Sequence, residues 1–235
     1  AKLICQNSFA EKVFFTNSGT ESIECGIKVI RNYHFYHKNF SRKNIITFNG
    51  AFHGRTLGAL SAAQNTKYSK GFEPLLSNFI QIPFNDIELL KKNVNEQTAA
   101  VMIESVQGEG GIRPADISFL NSIYKICKEN EIWVFLDERQ SGFGRSGKLF
   151  AYERANIEPD IIAVAKGIGS GFPLGACLTT NRASKGMIKG SHGSTYGGNP
   201  LAISVGKAVL EILTNNNFLE SVDQVAKYFL SKLKK

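Results

Sequence analysis

No stretch of this 235-residue chain approaches the ~18 consecutive apolar residues of a membrane-spanning helix, and the amino terminus lacks the basic-then-apolar pattern of a secretory leader. A membrane or exported protein is not expected; the chain reads as cytoplasmic. Low-complexity tracts and internal repeats are missing too. Cysteine is sparse: Cys5, Cys25, Cys127 and Cys177 are scattered, without a Cys-x-x-Cys, in apolar settings that suit small buried thiols in a reducing compartment. Histidine is as rare. His34 and His37 stand three apart with no further ligand nearby, so they read as a solvated helix face, and no metal site is expected. Acidic residues are outnumbered 20 to 28 by Lys and Arg, for a formal charge of +8. The basic residues are spread through Lys38 to Lys43, Lys67 to Lys70, Lys91-Lys92 and the tail Lys232 to Lys235, rather than forming one stripe interleaved with aromatics. A nucleic-acid site is therefore not expected. A modest pull on anionic substrates is the milder consequence.

What is present is enough apolar residue, 43%, for one substantial core, and residues 1–235 read as one domain. Two apolar runs stand out. Ile132-Trp-Val-Phe-Leu136 has the β-branched and aromatic content of a buried strand and ends in Asp137-Glu138; Asp160-Ile-Ile-Ala-Val-Ala165 does the same and ends in Lys166, ahead of a Gly-rich loop through Pro173. In open α/β sheets ligands bind beyond the carboxyl ends of strands, which directs both side chains to one crevice. Pyridoxal phosphate suits such a pair. A buried lysine attacks an aldehyde to form a Schiff base, and a buried aspartate keeps a pyridine nitrogen protonated. Taken singly, a Lys or Asp at a strand end is usually a solvated terminus or a cap.

Further elements follow along the chain. Residues 1–10 read as the last turns of a helix, Lys12 to Phe15 as a strand, and Thr20 to Lys38 as a helix with Ile23, Ile27, Ile30 and Tyr33 or His34 on one face. The turn Thr16 to Gly19 between them offers backbone N–H groups to an anion, and the Thr20 hydroxyl adds a donor. Strands are expected at Asn44 to Phe48, Thr98 to Ile103 and Leu174 to Thr179, and helices at Asp86 to Lys92 and Asp116 to Asn130. A last helix from Pro200 is expected to turn Leu201, Val205, Val209 and Ile212 inward. Phe52, in the Gly-flanked loop Asn49 to Gly58, is placed to stack on a ligand ring. Gly142 to Lys148 has the spacing of a nucleotide-binding loop, but Leu149 stands where a Ser or Thr must ligate magnesium, and that reading is set aside.

Asp137-Glu-x-Gln140-x-Gly142, followed by Lys166-Gly-x-Gly-x-Gly-Phe-Pro-Leu-Gly-Ala176, resembles the class III (ω-amino acid) aminotransferases of fold type I, and most of all their acetylornithine-using branch. Asn17-Ser-Gly-Thr-Glu21 and Gln107-Gly-Glu-Gly-Gly111 match further family motifs. The resemblance runs from about Asn7 to Leu213. It implies an α/β fold, the large cofactor domain with a mostly parallel central sheet flanked by helices, without the C-terminal small domain. It also implies transfer of a terminal amino group from N-acetylornithine or a similar donor to 2-oxoglutarate, in arginine biosynthesis, by a homodimer with shared active sites. Carried over residue by residue, Lys166 bonds the cofactor's aldehyde and moves the proton, Asp137 pairs with the ring nitrogen, Gln140 approaches the ring hydroxyl and Phe52 covers one face. Gly19 and Thr20 hold the phosphate together with Thr195 from across the dimer, while Arg55 and Ser194 bind substrate. Glu104 helps position the cofactor's surroundings, and Glu109 faces an arginine of the C-terminal domain.

Ser105 stands where the family's motif usually has Pro. Two departures bear on activity. Arg139 stands where relatives carry Val or Ile against the ring, and burying a guanidinium unpaired costs several kcal/mol. The chain also lacks the C-terminal domain and the amino-terminal segment of its relatives, so it looks truncated at both ends. The alternative to an active aminotransferase is a remnant that keeps the cofactor-binding fold with little turnover.

Overall fold

A computed structural model describes residues 1–215 and 217–233. Lys234 and Lys235, counted above in the basic tail, lie outside them. The chain begins with α1 (Lys2–Gln6), β1 (Lys12–Thr16) and α2 (Gly19–Tyr36), then β2 (Asn44–Phe48), α3 (Leu57–Ala63), α4 (Thr66–Ser69), β3 (Phe79–Ile82) and α5 (Ile87–Asn93). It continues with β4 (Thr98–Glu104), a small ribbon of β5 (Val106–Gln107) and β6 (Arg113–Pro114), α6 (Ile117–Glu129) and β7 (Trp133–Asp137). The last elements are β8 (Ile161–Val164), β9 (Gly175–Thr179), α7 (Pro200–Leu213) and α8 (Phe218–Leu233). Among the described residues no helix is long and apolar enough to cross a membrane.

Seven strands form one sheet in the order β1-β9-β8-β7-β4-β2-β3, parallel from β3 to β8, with β9 reversed against both its neighbours. Reversal of β9 restores β1 to the direction of β7 and β8, so β1, β7 and β8 all end at one edge. The strands read as continuous apolar runs because both faces are covered. Alternate residues separate the two cores: Val101, Val134, Leu136 and Ile162 pack with α6 through Phe119 and Ile123, whereas Met102, Phe135, Ile161 and Ala163 pack with α2 through Ile23, Ile27 and Ile30.

Three elements depart from expectation. Phe79–Ile82 is the edge strand β3, in a region read as loops, and the helix α3 precedes it. The inward face of α7 is Ala202, Leu210 and Leu213, while Leu201 and Ile212 are exposed; the helix is rotated so that Gly206 meets the Leu174 side chain. His34 is buried instead of solvated, with neither ring nitrogen bonded among the described residues, and burial lowers its pKa to about 4.

Candidate active site

β7 and β8 lie in register, Asp137 opposite Ala163, and β4 brings Glu104 opposite Asp137 on the other side. Asp137 thereby ends a central strand on the α2 side of the sheet. Lys166 follows two residues after β8, at φ +48°, a left-handed conformation that L-residues rarely adopt and that tends to be retained at functional sites. Its side chain is exposed and has no hydrogen-bond or ion-pair partner among the described residues.

The start of α2 completes the edge. Ser18 caps the helix by accepting from Glu21 N, and Glu21 reaches back to accept from Asn17 N at 3.0 Å. The N–H groups of Gly19 and Thr20 are left without acceptors among the described residues, at the positive end of an 18-residue helix. Gly175 lets β9 run close beneath, since a Cβ there would stand 2.6 Å from the Ser18 carbonyl. Lys166, Asn17, Ser18, Gly19, Ala165 and Arg145 line an open cleft of about 550 Å³.

Asp137 does not line that cleft; Arg139 occupies its carboxylate. Arg139 Nε donates to Asp137 Oδ1 at 2.7 Å, Nη2 donates to Oδ2 at 2.6 Å, and the Arg139 N–H donates to Oδ1 at 3.1 Å. His53 Nδ1 lies 2.8 Å from Oδ2 and is the fourth donor. The same Nη2 donates to the Phe52 carbonyl at 2.6 Å, and the guanidinium carbon lies 5.9 Å from the Phe52 ring centre. The Arg139 stem rests on Gly19, where a Cβ would fall 2.6 Å from Arg139 Cδ. The guanidinium that the sequence left unpaired is therefore paired, through Nε and Nη2.

Charge follows from these contacts. Burial alone pushes the Asp137 carboxyl up, but the Arg139 guanidinium and the His53 hydrogen bond outweigh it and hold the group well below the usual carboxylate range. Burial lowers His53, leaving a neutral ring that donates through Nδ1. Glu104 accepts from Phe52 N at 3.0 Å, and burial together with the neighbouring Asp137 charge raises it to about 8. Glu138 accepts from Ala151 N, Tyr152 N and Ser105 Oγ, so the unusual Ser105 supplies a donor to a buried acid that burial raises to about 7.

The remaining expected residues fall around this centre. Phe52 is half-buried, edge-on to Tyr68 at 5.6 Å between centroids. The exposed Arg55 stacks on Tyr68, its guanidinium carbon 4.2 Å from the ring centre. Gln140 lies over Gly108 and its buried Nε2 has no partner among the described residues. The Thr20 hydroxyl is 3.2 Å from that of Thr56. Ser194 and Thr195 lie beside the start of this chain's own α2, Ser194 Oγ accepting from Asn17 Nδ2 at 3.3 Å. The stretch from Gly142 runs into the buried Leu149 and a single turn at Ala151–Ala155, not the long helix that a nucleotide loop needs. His53 is the functional neighbour that sequence reasoning missed; its only signal was its place beside Phe52 in the Gly-flanked loop.

The model of the aminotransferase class-III family matches residues 1–235. Acetylornithine aminotransferase of Agrobacterium fabrum (strain C58) is 52% identical over 229 residues, covering 97% of this chain and 57% of that protein. Among solved structures, N-acetylornithine aminotransferase from Stenotrophomonas maltophilia K279a superimposes with a TM-score of 0.80 at 33% identity, over 97% of this chain and 55% of that one. Ornithine aminotransferase from Toxoplasma gondii, described as having partial occupancy of PLP at its active site, gives 0.95 at 26% identity, over 99% and 56%. The chain spans a little over half the length of the relatives it matches.

Proposed function

The chain belongs to the class-III aminotransferase family, and from that premise we propose that residues 1–235 are the cofactor-binding large domain of a pyridoxal-phosphate enzyme. Its reaction moves a terminal amino group from N-acetylornithine, or a similar ω-amino donor, to 2-oxoglutarate in arginine biosynthesis. The enzyme is a cytoplasmic homodimer with shared active sites. One observation carries the reading: a buried carboxylate, Asp137, at the carboxyl end of β7, and an exposed amine, Lys166, without a partner among the described residues, just after the carboxyl end of the neighbouring parallel β8.

The residues suit the cofactor end by end. Gly19 and Thr20 offer the phosphate two N–H groups without acceptors among the described residues. Gln140 offers the ring hydroxyl a buried Nε2 donor without a partner among the described residues, and Phe52 offers a half-exposed aromatic face. Asp137 has the right charge for a protonated ring nitrogen, provided the Arg139 side chain rotates off it.

Bound pyridoxal phosphate supplies an aldehyde for the lysine and a ring that takes up the electron pair left when a C–H bond beside nitrogen is broken. This chain's residues do the rest. Lys166 Nζ holds the aldehyde carbon and afterwards takes and returns the proton at the reacting carbon. Asp137, kept ionised by its donors, favours the protonated ring nitrogen; His53 fixes the carboxylate's orientation. Arg55 leaves Tyr68 to fork onto a substrate carboxylate, and Ser194 and Thr195 serve the partner subunit's site.

Arg139 favours a second reading, a chain that binds the cofactor weakly and turns over little. Purified protein incubated with pyridoxal phosphate separates the two. We expect the absorbance band of lysine-bound cofactor in the wild type and none in Lys166→Ala, with transfer from acetylornithine reduced by about 10²-fold or more in the variant. A wild-type band without transfer selects the second reading. Equal bands in both proteins overturn the lysine assignment.

A further inference from the structure

We propose that Arg139 is a built-in competitor for the cofactor: its guanidinium occupies the carboxylate that the ring nitrogen must take, so cofactor affinity is set by how readily that side chain leaves Asp137. The inference rests on the cofactor assignment made above. A carboxylate has about four lone-pair sites. All four directions on Asp137 are used, by Arg139 Nε, Nη2 and N and by His53 Nδ1, at 2.6 to 3.1 Å. No further donor reaches either oxygen until one of these withdraws. The Arg139 N–H belongs to the backbone and the His53 ring is fully buried; the guanidinium, on a rotatable stem, is the one that moves.

Its surroundings hold it in place. Arg139 is only 6% exposed, and its pair with Asp137 is bidentate, the strongest geometry open to a guanidinium. Nη2 also donates to the Phe52 carbonyl, and the group stands 5.9 Å from the centre of the ring expected to stack on the cofactor. Gly19, at the phosphate end, makes room for the stem because it has no Cβ. The side chain thus runs from the phosphate cradle past Phe52 to Asp137, along the path that the ring would lie in. Loading exchanges one cation on Asp137 for another and leaves the carboxylate paired throughout, so the competition is for a single site.

The dissociation constant of pyridoxal phosphate, measured by fluorescence titration on the full chain freed of cofactor, tests this in the wild type, Arg139→Val and Arg139→Lys. Arg139→Val is expected to bind at least tenfold more tightly than wild type. Arg139→Lys, which keeps the charge but cannot pair through two nitrogens, is expected to fall between. Inorganic phosphate, which needs only the cradle, is expected to bind the three proteins alike when it competes with the cofactor. Equal or weaker cofactor binding in both variants overturns the inference, and the lysine-bound band lost in Lys166→Ala then still upholds the parent reading. Failure of all three proteins to bind cofactor overturns both. Should Arg139→Val not fold, the Lys variant decides alone.

Discussion

His53 holds the acid of the site through Oδ2, the oxygen it shares with Arg139 Nη2. Among the described residues its Nδ1–H is the only donor to Asp137 that comes from outside the segment 137–139, and its Nε2 has no partner, so it makes one hydrogen bond that matters. His53→Phe keeps the volume and removes that donor. A hydrogen bond to a buried charge contributes about 1.5–3 kcal/mol, and relief of the orphaned Nε2 offsets part of it. The variant is expected to lose about 1–2 kcal/mol of stability, seen as a lower urea midpoint, and to bind pyridoxal phosphate less tightly; an unchanged midpoint would show that Arg139 alone satisfies the acid. Asp137 and Lys166 were legible in the sequence because each follows an apolar run that could only be a buried strand. His53 was not, because its partner lies 84 residues away and meets it only when the loop after β2 folds over the end of β7. The Arg139 pairing was equally hidden. Two positions apart in a continuing strand the side chains would share a face but stand about 6.6 Å apart along it, and only the end of β7 at Asp137 lets the Arg139 side chain curl back onto the carboxylate.

Elements were easier to read where a period ran long. The face of α2 repeats over 18 residues and emerged as expected through Ile23, Ile27 and Ile30, as did α6 and the buried strands β4 and β7. β3 has four residues, two of them only partly buried, and leaves too short a pattern to recognise. The α7 face was misread because its apolar residues surround the helix and its inward side is marked by the small Ala202 and Gly206 instead. Small residues mark contact in α2 as well. A Cβ at Gly26 would stand 2.3 Å from Phe135 Cζ, and Phe135 is fully buried in β7 with no room to retreat. Gly26→Ala gains about 1 kcal/mol of helix propensity but overpacks the helix on the sheet, which costs about 1–3 kcal/mol or more at so short a contact. We expect a net loss of stability in urea denaturation, recovered in part by Gly26→Ala with Phe135→Leu; a more stable single variant would mean that α2 lifts from β7 without cost. Since α2 also carries the Gly19 and Thr20 N–H groups, the lifting variant is expected to bind cofactor less well.

Protons couple these parts across the whole molecule, through acids that folding buries next to the site and a histidine buried at the far end of α2. Glu104 at about 8 and Glu138 at about 7 both stand above the ordinary 4.5, so the folded chain binds protons that the unfolded chain has released. Each contributes stability that falls as pH rises from 4.5 to its folded value. His34, lowered from 6.5 to about 4, acts in the opposite sense: the unfolded chain binds the extra proton, and stability rises with pH across that window until it is complete at 6.5. Asp137, held well below 3.8, is ionised in both states throughout. Between 4.5 and 6.5 His34, and His53 in the same sense, therefore oppose the glutamates, whereas above 6.5 the glutamates dominate. The thermal midpoint of the cofactor-free protein is expected to fall between pH 6.5 and 8, by a loss on the order of 2 kcal/mol, since one pKa unit is about 1.4 kcal/mol. Glu104→Gln keeps an oxygen for the Phe52 N–H and cannot ionise, so the fall over the same interval should shrink to the smaller part that Glu138 contributes near pH 7. His34→Leu should leave that interval unchanged and raise stability only below pH 6.5, which assigns the two limbs to separate ends of the fold. A wild-type midpoint that falls from pH 6.5 to 8 no more than that of Glu104→Gln would show that Glu104 is ionised in the folded chain, shared between Arg139 and the Phe52 N–H. The guanidinium would then be held by two carboxylates, and the removal of Arg139 would destabilise the protein more at alkaline than at neutral pH.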